Sequence, residues 1–430
     1  MIGAIRRLTD NSLVRNAGWM LAGQGASLVV QAVYFVVIAR LLGSAQYGLL
    51  VGASAVVAMA SQYGSLGSGL LFLRYVSPDK TRFPEYWGNI LLSTCAFGTL
   101  LVLAFQGFGR ILVPRDAVSV LLLMAVSDCL CAQLTMCTGQ IFQAFEKMRI
   151  TAALNLLTNL ARLTIAVFLL LCAKRATAYE WAIASLIVSA IVACVSVLTV
   201  TWQFGLPRFR PDLLVLRAWE GVIFAVSGST SSLYNDLDKA MLSHYGMNTA
   251  NGIYTMAYRL VDICTIPIRS VHSAAFPRLF ALGAKGLSAT EPYARRMLRR
   301  TAVLGASAAV LMFVAAPLTP VLVGSGFAES VTAIRWLCLI PLFRCFHLSA
   351  GDAMTAAGLQ SYRLASQFLA AGGNFALNLI LIPRYGWMGA AWASLATDGV
   401  LALISWGVLL FLKQRSEGII ATLPLEKAAA

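Results

Sequence analysis

Apolar stretches long enough to cross a bilayer recur about a dozen times along this 430-residue chain, and several carry arginine or aspartate where lipid would not accept a charge. Backbone groups in hydrocarbon are satisfied only inside helices or closed barrels, and a helical span needs about 20 mostly apolar residues. Period-2 alternation is absent, so the spans are helices. They are expected near residues 14–38, 47–71, 87–108, 117–140, 151–172, 180–203, 218–241, 252–275, 301–322, 328–349, 362–382 and 387–412. Only 12% of the residues are charged and 59% are hydrophobic, whereas soluble domains carry about 25% charged residues. The expected fold class is all-α, a polytopic membrane protein of about twelve transmembrane helices.

The connecting segments are short, the longest being the basic stretch after Pro277, so no extramembrane domain offers room for a soluble active site. Lysine and arginine divide unevenly between alternate loops. Arg40, Arg110, Arg115, Lys174, Arg175 and Arg384 fall on one side, against 21 on the other, including Arg295, Arg296, Arg299 and Arg300. Basic loops stay in the cytoplasm, so both termini are expected there, with anionic membrane lipids as the partner of the net charge of +15. Nucleic acid is not an expected partner. The basic opening MIGAIRRLTDNSLVR leads into a stretch of full spanning length, which reads as an uncleaved first helix. The nine cysteines all lie in expected spans without metal-like spacing and read as buried packing residues. Neither a metal nor a cofactor is expected.

A repeat of roughly 205–215 residues runs through the chain. Leu41–Leu50, LLGSAQYGLL, returns in outline as His244–Ala257, HYGMNTANGIYTMA, with Gly43 matching Gly246 and Gly48 matching Gly252. Glu146–Leu171 is answered by Leu359–Pro383, and each leads on to an Ala-Ser-Leu helix, Ala184–Leu186 and Ala393–Leu395. An even number of spans between copies makes the repeat parallel, as in transporters built from two lobes. The expected organisation is an N-terminal six-helix lobe over 1–205, an inter-lobe cytoplasmic loop over 206–216 and a C-terminal six-helix lobe over 217–430.

Polar stripes mark the faces that avoid lipid. Gln24, Ser27, Gln31 and Tyr34 share one face of the first span; Thr151, Asn155, Thr158, Asn159 and Arg162 share one of the fifth. The seventh carries Ser227, Ser231, Tyr234 and Asp238 beside Gly228, Ser232, Asn235 and Lys239, and the eleventh carries Arg363, Gln367, Asn374 and Asn378. Interhelical hydrogen bonding explains any one stripe, but stripes in both halves favour a wetted cavity.

The ionisable residues within spans are Asp128, Arg162, Asp236, Asp238, Lys239, Arg259, Asp262, Arg269, His272, Arg335, Arg344, His347 and Asp398. Each mid-span charge costs about 2.5–3.5 kcal/mol even on a lenient scale, so this many require an aqueous or paired interior. Spacing of three offers two structural ion pairs, Arg259 with Asp262 and Asp236 with Lys239. Arg269 and His272 lie at the depth of Arg344 and His347, with no acid in those two spans at that depth, while Arg162, Arg259 and Arg335 lie nearer mid-membrane. Guanidinium groups bind phosphate oxygens bidentately and keep their proton, so an anionic ligand suits this set. No Ser-His-Asp, H-E-x-x-H or phosphate-loop pattern occurs, and GSLGSG at Gly64–Gly69 lies inside a span, where it means close packing or a local break. The chain is not read as an enzyme.

ARLLGSAQYG at Ala39–Gly48, DLDKAMLSHYG at Asp236–Gly246 followed by NGIYTMAYRL, SAAFPRL at Ser273–Leu279 and IPRYGWMGAAWASL at Ile382–Leu395 together resemble the polysaccharide-export flippases. These are the O-antigen and exopolysaccharide repeat-unit translocases of the multidrug, oligosaccharidyl-lipid and polysaccharide exporter superfamily. The resemblance implies a two-lobed bundle with a cationic cavity in the bacterial cytoplasmic membrane. There an undecaprenyl-diphosphate-linked oligosaccharide is turned from inner to outer leaflet by alternating access, alongside polymerase or ligase machinery. Of the charged residues expected to bind substrate or a coupling ion, Asp238, Lys239 and Arg259 fall within the matched segments.

The expected diphosphate-binding residues are Arg162, Arg259, Arg269, Arg335, Arg344 and Lys239. The sugar path is expected along Gln24, Gln31, Asn155, Asn159, Ser231, Asn235, Asn374 and Asn378. Asp128, Asp238, Asp262 and Asp398 are candidates for ion coupling, with Na+ or H+ left open. The alternative is a cation-coupled multidrug antiporter of the same fold, which needs a protonatable acid deep in one lobe. A glycan polymerase or ligase would need a sizeable outer loop, and the outer loops are small.

Overall fold

The computed structural model describes residues 12–173 and 175–422, with side chains over 25–172, 175–229, 232–233 and 235–415. Among these residues every regular element is helical. In chain order they are α1 (Ser12–Ser61), α2 (Ser68–Val76), α3 (Phe83–Leu112), α4 (Val118–Val126), α5 (Gln133–Ala144), α6 (Met148–Ala173), α7 (Ala178–Phe204) and α8 (Pro211–His244). They continue as α9 (Asn248–Gly283), α10 (Leu287–Ala315), α11 (Thr319–Val323), α12 (Ser330–Leu337), α13 (Ile340–Ala356), α14 (Gln360–Tyr385) and α15 (Trp387–Thr422).

The protein is an all-α, multi-pass membrane protein. Nine helical segments among the described residues are long and apolar enough to cross a bilayer. The first of these, Gly25–Val76, is broken at Gly43 (φ 70, ψ 171) and so provides two crossings. Two more elements, α8 with 34 residues and α9 with 36, have the length but carry the charged stripes that depress their hydropathy. Together these make the twelve crossings. The basic stretch expected to form the longest connection is instead helical: α9 runs through Pro277 to Gly283 and α10 begins at Leu287.

The structure falls into two compact units, residues 1–252 and 253–430. In the first, Phe72, Phe83, Trp87, Ile90, Ile141 and Phe142 form the buried centre. Compactness places α8 with this unit, while the expected cut at 206–216 concerns where the sequence repeats, a different property. Residues 205–210 are pinned to α3, with the Arg208 N–H donating to the Pro84 carbonyl at 2.8 Å and Arg210 pairing with Glu85 at 3.0 Å. The second unit is centred on Leu287, Ala294, Ala350, Ala353, Met354 and Leu409. Local signals set several helix ends. Thr177 caps α7 reciprocally with Glu180 at N3, and Pro211 opens α8 at a position where its missing N–H costs nothing.

Backbone geometry repeats along with the sequence. Gly43 has φ 70 and its match Gly246 has φ 71. At the second match, Glu146 (φ 58) and Gly358 (φ 78) close their helices alike: Lys147 N–H reaches the Phe142 carbonyl and Leu359 N–H the Met354 carbonyl, both at 2.8 Å. The other matched glycines meet one another. A β carbon on Gly48 would lie 1.7 Å from the Asn248 carbonyl oxygen, and one on Gly252 would lie 2.1 Å from the Ser44 carbonyl oxygen. Helix starts from the two repeats therefore cross backbone to backbone, which only glycine permits.

GSLGSG shows both features expected of it. A 3-10 turn at Gln62–Ser65 and left-handed Leu66 and Gly67 interrupt the helix, while Gly64 and Gly221 pack against the carbonyls of Cys129 and Leu66. The fourth crossing departs from a regular helix, because Ser127–Ala132 is a π-helical segment between α4 and α5. All nine cysteines are free thiols; Cys129, Cys137, Cys338 and Cys345 are buried, but Cys95, Cys172 and Cys194 are exposed, correcting the expectation that all are buried.

Gly43→Ala and Gly48→Ala should both lower the thermal unfolding midpoint in detergent, for different reasons. At Gly43 nothing lies within 4 Å of the added carbon, and the cost is backbone strain of about 1–3 kcal/mol. At Gly48 the cost is overpacking, about 1–3 kcal/mol or more.

Candidate functional site

Unit 1 contains a polar cavity of about 570 Å³ walled by α1, α5, α6 and α7 with the end of the π segment. Gln31 from α1, Asn155, Asn159 and Arg162 from α6, and Ser189 from α7 supply most of its polar groups. The α6 residues converge because 155, 158, 159 and 162 fall at helical spacing on one face. Gln31 Nε2 donates to Asn159 Oδ1 at 3.4 Å, joining the stripes of the first and fifth crossings. Arg162 Nη2 donates to Ser189 Oγ at 3.1 Å, and Ser189 in turn bonds Ser127 at 3.0 Å. Arg162 Nε is buried without a hydrogen-bond partner, and no carboxylate forms an ion pair with this guanidinium among the described residues. Asp128, in the π segment, is its electrostatic neighbour. The wall therefore offers amides and one guanidinium with spare donors, a set suited to hydroxyls and anionic oxygens.

Gln24 and Ser231 lie outside the described side chains. Lys239 is buried within α8: its ammonium meets Asp236 Oδ1 at 2.7 Å, the pair expected from spacing, and the Asn235 carbonyl at 2.8 Å. Asp238 is buried one residue earlier, its Oδ1 accepting from the Lys239 N–H at 2.8 Å.

Unit 2 is organised by ion pairs. Arg344, 3% exposed, donates to Asp262 at 3.2 Å and to the Tyr258 hydroxyl at 2.9 Å. Asp262 thus takes Arg344 from another helix, where spacing pointed to Arg259. Arg269 is exposed beside this cluster, with Arg344 and Asp262 as electrostatic neighbours. His272 bonds Asp352 at 2.7 Å, and Arg363 reaches the other oxygen of Asp352 at 3.1 Å. That carboxylate is a correction to the sequence reading, which found no acid at this depth because it ended the tenth span at 349, three residues short. His347 lies 3.5 Å from Asp398. Asn374 donates to Thr397 at 3.1 Å and accepts from Asn378 at 2.8 Å, so this stripe joins α14 to α15 through buried hydrogen bonds. Arg259 is half-buried. Arg335 is exposed, its guanidinium 5.1 Å over the Phe313 ring, on a face with exposed Val310 and Val314. Arg278, Arg296 and Arg300 surround Tyr293 at a small cavity of about 240 Å³.

Sequence reasoning missed Ser189, although Ser185, Ser189 and Ser196 form a buried helical stripe that could have revealed it. It also missed Thr135 and Met136, whose place on the wall depends on the register change in the π segment. Among the described residues no group of histidine, cysteine or acidic side chains could hold a metal ion.

The chain belongs to the polysaccharide biosynthesis protein family, whose model matches residues 13–282. No curated protein matches it in sequence. Its fold is similar to an inward-facing multidrug resistance MATE family transporter of the MOP superfamily (TM-score 0.72, 13% identity, covering 94% of this chain and 100% of that one). It is likewise similar to the lipid II flippase MurJ in an inward closed conformation (TM-score 0.74, 14% identity, 95% and 88% covered). A MOP superfamily transporter from Pyrococcus furiosus, described as having a binding pocket of reverse polarity, matches at TM-score 0.59 with 14% identity over 94% and 95% of the two chains.

Asp352→Ala strips two basic partners of their shared carboxylate and should destabilise the protein by about 3–5 kcal/mol, seen as a lowered thermal midpoint in detergent. Asn378→Ala should cost about 1–3 kcal/mol, the penalty of one lost buried hydrogen bond.

Proposed function

We propose that this protein is a flippase that carries an undecaprenyl-diphosphate-linked oligosaccharide repeat unit from the inner to the outer leaflet of the bacterial cytoplasmic membrane. It would serve the assembly of a surface polysaccharide, lipopolysaccharide or exopolysaccharide. The observation that carries this reading is the cavity lined by Gln31, Asn155, Asn159, Arg162 and Ser189 inside a membrane bundle. Amides and hydroxyls in such a wall exchange hydrogen bonds with sugar hydroxyls, and a guanidinium with an unpartnered Nε is matched to a diphosphate oxygen. A volume of about 570 Å³ is of the size that holds a small ligand rather than a polymer. Membership of a polysaccharide biosynthesis family supports a glycan substrate over a drug.

In this reading Arg162 is the principal anion-binding residue, and the anion-binding roles expected of Arg259 and Arg269 stand as separate proposals within unit 2. The role first expected of Arg344 and Lys239 passes to positioning, since each is buried and directs its donors to a carboxylate and another oxygen acceptor. Asp128 beside Arg162 becomes the leading ion-coupling acid: its protonation or Na+ binding would change the field at the guanidinium that holds the substrate. Both termini lie in the cytoplasm, anionic lipids surround the basic ends of the helices, and polymerase or ligase machinery receives the product. The glycan lipid changes leaflet and no covalent bond changes.

Arg162→Ala should lower surface polysaccharide export by about tenfold or more, the equivalent of losing about 1.4 kcal/mol or more of binding, with the protein still present in the membrane. Arg162→Lys should recover little of it, because a point charge cannot reproduce the fork. Arg335→Ala should export normally, given its place over Phe313. Wild-type export by both Arg162→Ala and Asn159→Ala would remove the cavity from the account.

A further inference from the structure

We propose that a groove on the C-terminal unit, separate from the polar cavity, holds the apolar chain of a polyprenyl diphosphate. The inference rests on the flippase reading and adds to it a place for the tail. The groove has a volume of about 870 Å³ and runs between α10, α13 and α15. Phe343 and Phe346 form one wall, and Trp392, Gly399, Leu403 and Trp406 another; the lining is apolar apart from Arg295, Arg299 and the two indole N–H groups, of which that of Trp392 is buried without a hydrogen-bond partner. The Trp406 indole N–H donates to the Phe346 carbonyl at 3.0 Å, which ties up the one polar atom of that side chain.

Length selects the occupant. The α15 lining extends from Trp392 to Leu410, which at 1.5 Å per residue is about 27 Å. A phospholipid acyl chain occupies one leaflet, about half of a 30 Å hydrocarbon core. A groove nearly as long as the core is thick accommodates a chain longer than an acyl tail, as a polyprenyl group is.

Charge selects the head. Arg295 lies 5.9 Å from the Trp406 ring, placing the basic end of the groove at Trp406, toward the Leu410 end of the α15 lining. Glu291 there pairs with both Arg295 and Lys413, the latter at 3.1 Å, while Arg299 has no carboxylate partner among the described residues. Among the described residues Arg299 is thus a cation with no ion-paired acid where an anionic headgroup would sit, at the end that the basic loops assign to the cytoplasm. A long apolar chain on a diphosphate meets both conditions; an anionic phospholipid meets only the second.

Gly399 and Ala396 give the means of testing it. A β carbon on Gly399 would lie 3.7 Å from the Phe343 ring, an ordinary contact, so alanine fits there, whereas a larger side chain must enter the groove. Ala396 is exposed along the same lining. The purified full chain in detergent would be offered undecaprenyl diphosphate, undecaprenol and dioleoylphosphatidylglycerol at equal concentration and its bound lipid read by native mass spectrometry, with thermal midpoints as the folding control. Wild type and Gly399→Ala should retain undecaprenyl diphosphate over phosphatidylglycerol. Ala396→Phe and Gly399→Phe should each lower retention of undecaprenol and of its diphosphate by about tenfold, at unchanged thermal midpoint. Arg299→Gln should weaken the diphosphate and leave undecaprenol unchanged. Full retention by both phenylalanine variants overturns the groove and leaves the flippase reading in place. Failure of wild type to retain undecaprenyl diphosphate while it binds phosphatidylglycerol overturns the flippase reading itself.

Discussion

A polar group placed within hydrocarbon must be answered by another polar group, because no water is there to answer it, and the architecture of this protein follows from that demand. Every regular element described is helical, so backbone donors and acceptors are satisfied within each segment. Side chains then have to be satisfied between segments. Where they pair across segments, as His272 and Arg363 do with Asp352 and Asn374 does with Thr397, the polar groups join helices. Beside Arg162, whose Nε is buried without a partner, a cavity stands instead.

The arginines and lysine within the membrane are therefore not equivalent. Arg344 and Lys239 sit at buried positions where leaving the charge unpaired would be prohibitive, and each has a carboxylate within hydrogen-bond distance. Arg335 satisfies its exposed position by lying over an aromatic ring, an interaction that needs no acid. Arg162 is held by a neutral serine, which positions the guanidinium without neutralising it. The proposed function rests on this last kind of cation, one fixed in place by a neutral partner. Asp128 is the electrostatic neighbour of that guanidinium, and the π segment carrying Asp128 is the kind of local irregularity that aims a side chain out of helical register.

Duplication was legible in the sequence because it is written in glycines. Gly43 and Gly246, and Gly48 and Gly252, recur at one spacing, and the structure gives each pair one physical reason: a left-handed φ at the first, backbone contact at the second. The polar stripe of α6 was legible too, since 155, 158, 159 and 162 must share a face on any helix. Partner choice was not. Asp262 stands three residues from Arg259, yet Arg344, 82 residues away in sequence, makes the bond. The stripes of α6 and α14 look alike as strings, but the first opens on a cavity and the second closes on α15.

Composition and periodicity by themselves determined that the chain crosses a membrane as about twelve helices, that it is internally duplicated, and which face of the first, fifth, seventh and eleventh spans must avoid lipid. These are properties of a helix taken alone, fixed by rise, pitch and the cost of polarity in hydrocarbon. Only the tertiary structure decided which of those faces meet each other, which cations are neutralised, and where space remains between walls. The reason is that a hydrogen bond or ion pair works over a few ångströms, and which groups come that close depends on how the helices pack.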